Sequence, residues 1–184
     1  MKTIKFVSKL LIVLLAFNTI ATASIKDKSA SEIESDANQA LSKFYSEVAG
    51  SKAYLQKVKG YVVFPDVVEG GFFIGGKYGE GVLRTGDKSL GYYSITSASA
   101  GFLAGGAKYS LIIALTTDAA LKTFMYDDDW ESEIDVNMAM AEWNSEEELD
   151  DIDFGTDMIG FVFDSKGLMG NFTLEGTRFE KITP

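Results

Sequence analysis

An α+β fold, a mostly antiparallel, glycine-rich β-sheet with N-terminal helices packed on it, is what this 184-residue sequence predicts. Three observations lead there. Apolar residues recur at helical spacing before Gly50, and strand-like runs rich in aromatic and β-branched residues dominate from Gly60 onward. Twelve of the 18 glycines also fall between positions 60 and 106, punctuating those runs. Hydrophobic residues make up 46% of the chain and charged residues 24%, enough apolar material for a packed core.

Residues 1–23 read as a secretory signal. Lys2, Lys5 and Lys9 form a positive n-region, Leu10 to Phe17 an apolar core, and Ala21-Thr22-Ala23 a small-residue cleavage site. A retained anchor is the alternative, but Leu10 to Ala23 includes Asn18 and falls short of the roughly 20 residues a spanning helix needs. The expected mature protein begins at Ser24 and is one domain, 24–184, exported to the periplasm or the exterior. Losing three lysines makes it three units more negative than the −10 of the whole chain. Such a surface repels nucleic acid and anionic membrane, so contact with phosphate or a headgroup requires a local basic patch.

Ser31-Glu32-Ile33-Glu34 matches a capping box, and Ile33, Ala37, Leu41, Phe44 and Val48 then mark an amphipathic helix that Gly50 ends. A short helix over Ser51 to Val58 follows. Tyr61 to Phe64, stopped by Pro65, is a short strand, and Gly71 to Arg84 is a second strand-like segment. Thr85-Gly86-Asp87-Lys88 is a hairpin turn with Leu90 to Thr96 as its return strand. Gly101 to Thr116 is a further strand, and Thr117 caps a two-turn helix through Ala120, Leu121 and Phe124. Met158 to Phe163, a turn at Asp164 to Gly167, and Leu168 to Leu174 complete the sheet. The segments GFFIGGKYG at 71–79 and GFLAGGAKYS at 101–110 repeat one text, suggesting a duplicated hairpin element. Their glycines leave bare backbone for close approach by a crossing chain or by a ligand such as an acyl chain.

The tract 127–153 holds 13 of the 27 acids, with no Lys or Arg, which predicts a solvated loop or one exposed helix face. With neither His nor Cys, the chain has no Ser-His-Asp triad, no Cys nucleophile, no disulfide and no thiolate or imidazole metal site. GGKYGEGV lacks the Lys-Ser/Thr pair of a P-loop, and Ser132 and Met138 stand where a calcium loop from Asp127 needs Gly and Glu. No carboxylate pair sits in a recognisable hydrolase motif, and no cofactor motif is present.

The run KGYVVFPDVVEGGFFIGGKYGEGVL at 59–83, followed by SITSASAGFLAGGAKYSLIIAL at 94–115 and SKGLMGNFTLEGTRF at 165–179, resembles the SYLF domain. This is a lipid-binding family also described as an actin-binding domain. The resemblance spans about residues 35–181. It implies an α+β domain that binds phospholipid without catalysis, phosphoinositides in eukaryotic members, and an exported role among small bacterial members. Actin bundling belongs to longer relatives, so actin is not an expected partner of an exported chain. Where the family usually carries a Gly-Pro block, Val136 to Asp151 contains neither residue. The candidate lipid-contacting residues are Lys52, Lys57, Lys59, Gly75, Gly76, Lys77, Gly105 and Gly106, the first three as a basic cluster for an anionic headgroup. No catalytic and no metal-ligating residue is assigned. The alternative is an envelope structural or interaction module whose acidic segment, 127–153, meets a basic partner.

Overall fold

A computed structural model describes residues 27–72, 74–100, 105–126, 130–131, 138–142, 156–167, 174 and 176–184. The expected signal segment, most of the acidic tract and the expected strand over 168–173 lie outside the described residues.

Helix α1 (Ala30–Glu47) turns Ile33, Ala37, Ala40, Leu41 and Phe44 inward, as its spacing predicts. Its capping box, however, starts at Ser29, not Ser31: Ser29 Oγ accepts from the Glu32 amide at 3.4 Å, and Glu32 Oε2 accepts from the Ser29 amide at 2.8 Å. Ser31 and Glu34 match the same pattern, but Glu34 is taken up by the sheet, where it accepts from Ser89 and Arg84. A short helix α2 (Ser51–Leu55) follows, ending three residues before the expected Val58.

Among the described residues eight strands form one sheet: β1 (Gly60–Phe72), β2 (Ile74–Thr85), β3 (Lys88–Ala100), β4 (Gly105–Leu115), β5 (Trp130–Glu131), β6 (Met138–Glu142), β7 (Met158–Gly167) and β8 (Thr177–Ile182). Helix α3 (Asp118–Tyr126) lies between β4 and β5, with Thr117 Oγ1 accepting from the Ala120 amide at 3.1 Å as its N-cap. The strand order is β5-β8-β3-β2-β1-β4-β7-β6. The central six strands are antiparallel, and β6 adds to β7 in parallel. Both β5 and β6 come from the acidic tract, so its described parts are edge strands where a loop or helix face was expected.

Core residues alternate along the strands because both faces are covered. Tyr61, Val63, Val82, Ile112, Ala114, Ile159, Phe161 and Phe163 pack under α1 and α2, with the Phe44 ring 5.4 Å from Phe161 and 5.1 Å from Phe163. Val62, Phe64, Leu83, Tyr93, Ile95, Leu111, Ile113 and Val162 face the other way, toward Ala120 and Phe124 of α3.

Strands β1, β2 and β7 depart from expectation in ways that position the site. Strand β1 continues through Pro65 to Phe72, because one extra residue is accommodated there: the register shifts between Val63 and Val68 against β2 and between Phe64 and Val67 against β4. A bulge lets proline sit in a central strand, since no ladder hydrogen bond is asked of its missing N–H. The Pro65 carbonyl accepts from Ser110 Oγ at 2.7 Å. The segment 71–84 is not one strand, for β1 ends and β2 begins within it, Phe72 pairing with Ile74. The expected turn at Asp164 to Gly167 is instead a second bulge inside β7, with Asp164 at φ 53° and a register shift opposite Lys108 and Ser110. The turn after Thr85 forms as expected, with Thr85 paired to Lys88 and Gly86 at φ 57°.

Candidate functional site

The paired glycines converge on a third pair not singled out by the repeat. Gly70 of β1 pairs with Gly76 of β2 and Gly106 of β4, and Gly71 pairs with Gly75 and Gly105. The two copies thus flank β1 and make a glycine band three strands wide. Val68, 55% exposed, lies two residues before it. Close approach is not what Gly106 provides: a Cβ there would meet only the Glu69 carbonyl, at 3.6 Å. At Gly76 the contact is tighter, 3.3 Å to the Ser97 carbonyl, yet both glycines are exposed. Crowded glycines lie outside these pairs: Gly167, whose Cβ would fall 2.2 Å from the Gly106 carbonyl oxygen, Gly60 against Leu121, and Gly79 and Gly81, which face the β1 bulge. A Cβ at Gly81 would fall 2.3 Å from the Val63 carbonyl oxygen and 2.6 Å from the Phe64 ring.

Lys77, next to the band, is buried on the opposite face from α1. Its β1 partner is Glu69. Burial pushes the Lys77 ammonium below its ordinary value while Glu69 opposes the shift. Burial, with Glu69 adding to it, pushes the nearby Tyr109 hydroxyl up.

Lys52, Lys57 and Lys59 are exposed around α2, at the other end of the sheet. Lys59 precedes Gly60, ten residues along β1 from Gly70, which at strand rise is roughly 30 Å. The basic cluster and the glycine band are therefore two places, not one. Lys59 also faces Asp118 at 3.5 Å, an exposed pair of little energetic weight.

Basic groups do converge elsewhere, from positions too far apart in sequence to be read as a cluster. The bulges in β1 and β7 lie on either side of β4, and each carries an aspartate, Asp66 and Asp164. Under α1 a cavity of about 300 Å³, open to solvent, is lined by Asp36, Gln39, Lys43, Asp66, Ser110 and Asp164. Lys28 Nζ reaches Asp36 at 2.6 Å and Asp66 at 3.3 Å, and Lys108 reaches Asp66 at 2.8 Å. Lys43 pairs with Asp164, which Lys166 also approaches at 3.4 Å. Burial works against ionisation of Asp66 and Asp164, but hydrogen bonds from these lysines outweigh it and hold both carboxyls below their ordinary value. A signal was present in the isolated Asp66 and Asp164 beside strand-forming runs, but nothing in either strand alone reveals that both bulge toward one helix.

This is the layout of a small α+β domain: a sheet with both faces covered, a charged cleft under the first helix, and bare backbone at one end. Residues 96–182, from mid-β3 through β8, match the family described as Ysc84, Las17-binding protein actin regulator. This match, over a little under half of the chain, agrees with the SYLF resemblance, a family of lipid- or actin-binding modules. No curated protein matches the chain. Among the described residues, no helix is long and apolar enough to cross a membrane.

Proposed function

We propose that the chain is a non-catalytic phospholipid-binding protein acting at a membrane surface of the cell envelope. The observation that carries the lipid reading is the cleft under α1, where Lys28, Lys43, Lys108 and Lys166 gather in a chain whose formal net charge is −10. In a protein this acidic, a region where four lysines offset the neighbouring carboxylates is where a phosphate-bearing headgroup is least repelled. The glycine band and Val68 offer bare backbone and apolar surface for an acyl chain, and Lys52, Lys57 and Lys59 a second, separate contact with anionic headgroups.

The purified protein should carry phospholipid detectable by mass spectrometry and should float with phospholipid vesicles. Replacing Lys52, Lys57 and Lys59 by Gln should weaken binding to anionic vesicles, most visibly at low salt. Lipid-free protein that stays at the bottom of the gradient at every composition would overturn the reading. Retention on a basic protein under the same conditions would favour the interaction module instead.

Export is the second part of the proposal, supported by the n-region, apolar run and Ala-x-Ala site. N-terminal sequencing of the protein from an envelope or culture fraction should begin at Ser24. A chain still starting at Met1 in the membrane fraction contradicts it.

A further inference from the structure

We infer that the cleft under α1 takes a zwitterionic aminoalkyl phosphate, which deepens the lipid reading above by naming the class of headgroup. Four features of the cleft point there. The first is a like-charge pair: Lys108 and Lys166 are directly opposite each other on β4 and β7. Each ammonium already has a carboxylate on its inner side, Asp66 at 2.8 Å from Lys108 and Asp164 at 3.4 Å from Lys166, and an anion between the two adds a counter-charge on their exposed side. Both are largely exposed, 54% and 72%, and so remain accessible to a ligand.

The second feature is the opposite charge immediately inside. Asp36, Asp66 and Asp164 all line the cavity. A purely anionic ligand entering between the two lysines meets these carboxylates, whereas a ligand with an ammonium one short linker away from its phosphate is matched at both ends. Counting the ion-paired groups around the cleft, Lys28, Lys43, Lys108 and Lys166 stand against Asp36, Asp66, Asp164 and Glu47, so the region is balanced within a strongly acidic chain. A balanced, alternating site selects a zwitterion over either ion alone.

The third is construction. Two bulges on the strands flanking β4 place Asp66 and Asp164 beside the same cavity, and bulges are a recurrent device for re-aiming side chains at binding sites. The fourth is size: about 300 Å³ is at the small end of ligand pockets and suits a headgroup while leaving its acyl chains outside. In this arrangement the phosphate lies between Lys108 and Lys166, and the ammonium is accepted by the carboxylates below, Asp36 foremost.

The test is titration of the full chain with phosphoethanolamine, inorganic phosphate and ethanolamine, followed by NMR or calorimetry. Phosphoethanolamine should bind at least about ten times more tightly than either fragment, and the Lys108→Gln/Lys166→Gln double variant should lose about tenfold. Asp36→Asn should abolish the preference for phosphoethanolamine over phosphate while leaving phosphate binding in place. Equal binding of phosphate and phosphoethanolamine, no binding of phosphoethanolamine, or an unaffected double variant would overturn the assignment. Flotation with phosphatidylethanolamine and with phosphatidylglycerol vesicles separates the sources. Floating that is insensitive to the double variant sinks the cleft assignment and leaves the lipid reading standing. Phosphoethanolamine binding without floating keeps the cleft as a site for the free compound and removes the lipid reading.

Discussion

Gly81→Ala should destabilise the protein by about 3 kcal/mol, the upper part of the range for overpacking a core. The added Cβ would lie 2.3 Å from the Val63 carbonyl oxygen and 2.6 Å from the Phe64 ring. The nearest obstacle is backbone, held in the ladder on both sides: β1 pairs with β2 and β4 around the bulge. It cannot swing away as a side chain would. For a chain of this size the loss corresponds to a melting point lower by roughly 6–12 °C. Gly106→Ala is the control, because its Cβ would make only an ordinary contact with the Glu69 carbonyl at 3.6 Å. It should change stability by no more than about 0.5 kcal/mol. Thermal melts of the two variants check both statements, and a Gly81→Ala protein that melts with the wild type would mean that the β1 bulge does not cross that glycine.

The next largest effect belongs to the polar junction between α1 and the sheet. Arg84, 7% exposed, donates to Asn38 Oδ1 at 2.8 Å and to Glu34, which also accepts from Ser89 and, at 3.2 Å, from Tyr92. Arg84→Met removes the cation and leaves Glu34 facing the sheet with two neutral donors. Breaking a fully buried pair costs about 3–5 kcal/mol. Glu34 keeps 27% of its side-chain exposure, so about 2 kcal/mol is the expected loss in urea denaturation. The double change Glu34→Gln/Arg84→Met should recover part of it, since no charge is then left unpaired.

The same junction sets a pH dependence. Burial alone would raise the Glu34 carboxyl, but hydrogen bonds from Ser89, Arg84 and Tyr92 outweigh it and hold the group below its ordinary value of 4.5. A carboxyl lowered in the folded state contributes stability that is fully present above its unfolded value and is lost as pH falls through its folded one. Stability should therefore decline from about pH 4.5 downward. Glu34→Gln should make that decline shallower without removing it, because Asp66 and Asp164 are lowered in the same way. An unchanged acid profile in Glu34→Gln would show that Glu34 is not held ionised by the sheet.

Much of the architecture was legible in the chain itself. The α1 stripe, the paired Thr85–Lys88 turn, the Thr117 cap and the apolar strings of β4 and β7 are local signals, and each was reinforced by packing. What local pattern left open, tertiary contacts resolved. Two overlapping capping boxes were available, and the one at Ser29 forms because Glu34 is needed by Arg84 and Ser89 on the sheet. Pro65 stops an isolated strand, yet inside a central strand it is carried by a bulge whose register depends on both neighbours.

By itself the sequence determined a glycine-rich sheet with helices on it, a strongly acidic surface, and the absence of imidazole and thiol chemistry, because these follow from composition and short-range periodicity. Only the tertiary structure decided that the repeated glycines meet across Gly70 and Gly71, and that Lys52, Lys57 and Lys59 lie at the far end of the sheet from them. It also brought Lys28, Lys43, Asp66, Lys108, Asp164 and Lys166 around one cleft. The physical reason is that strand pairing acts between segments far apart in the chain, as Tyr92 with Ile182, and the register cannot be read from either segment alone.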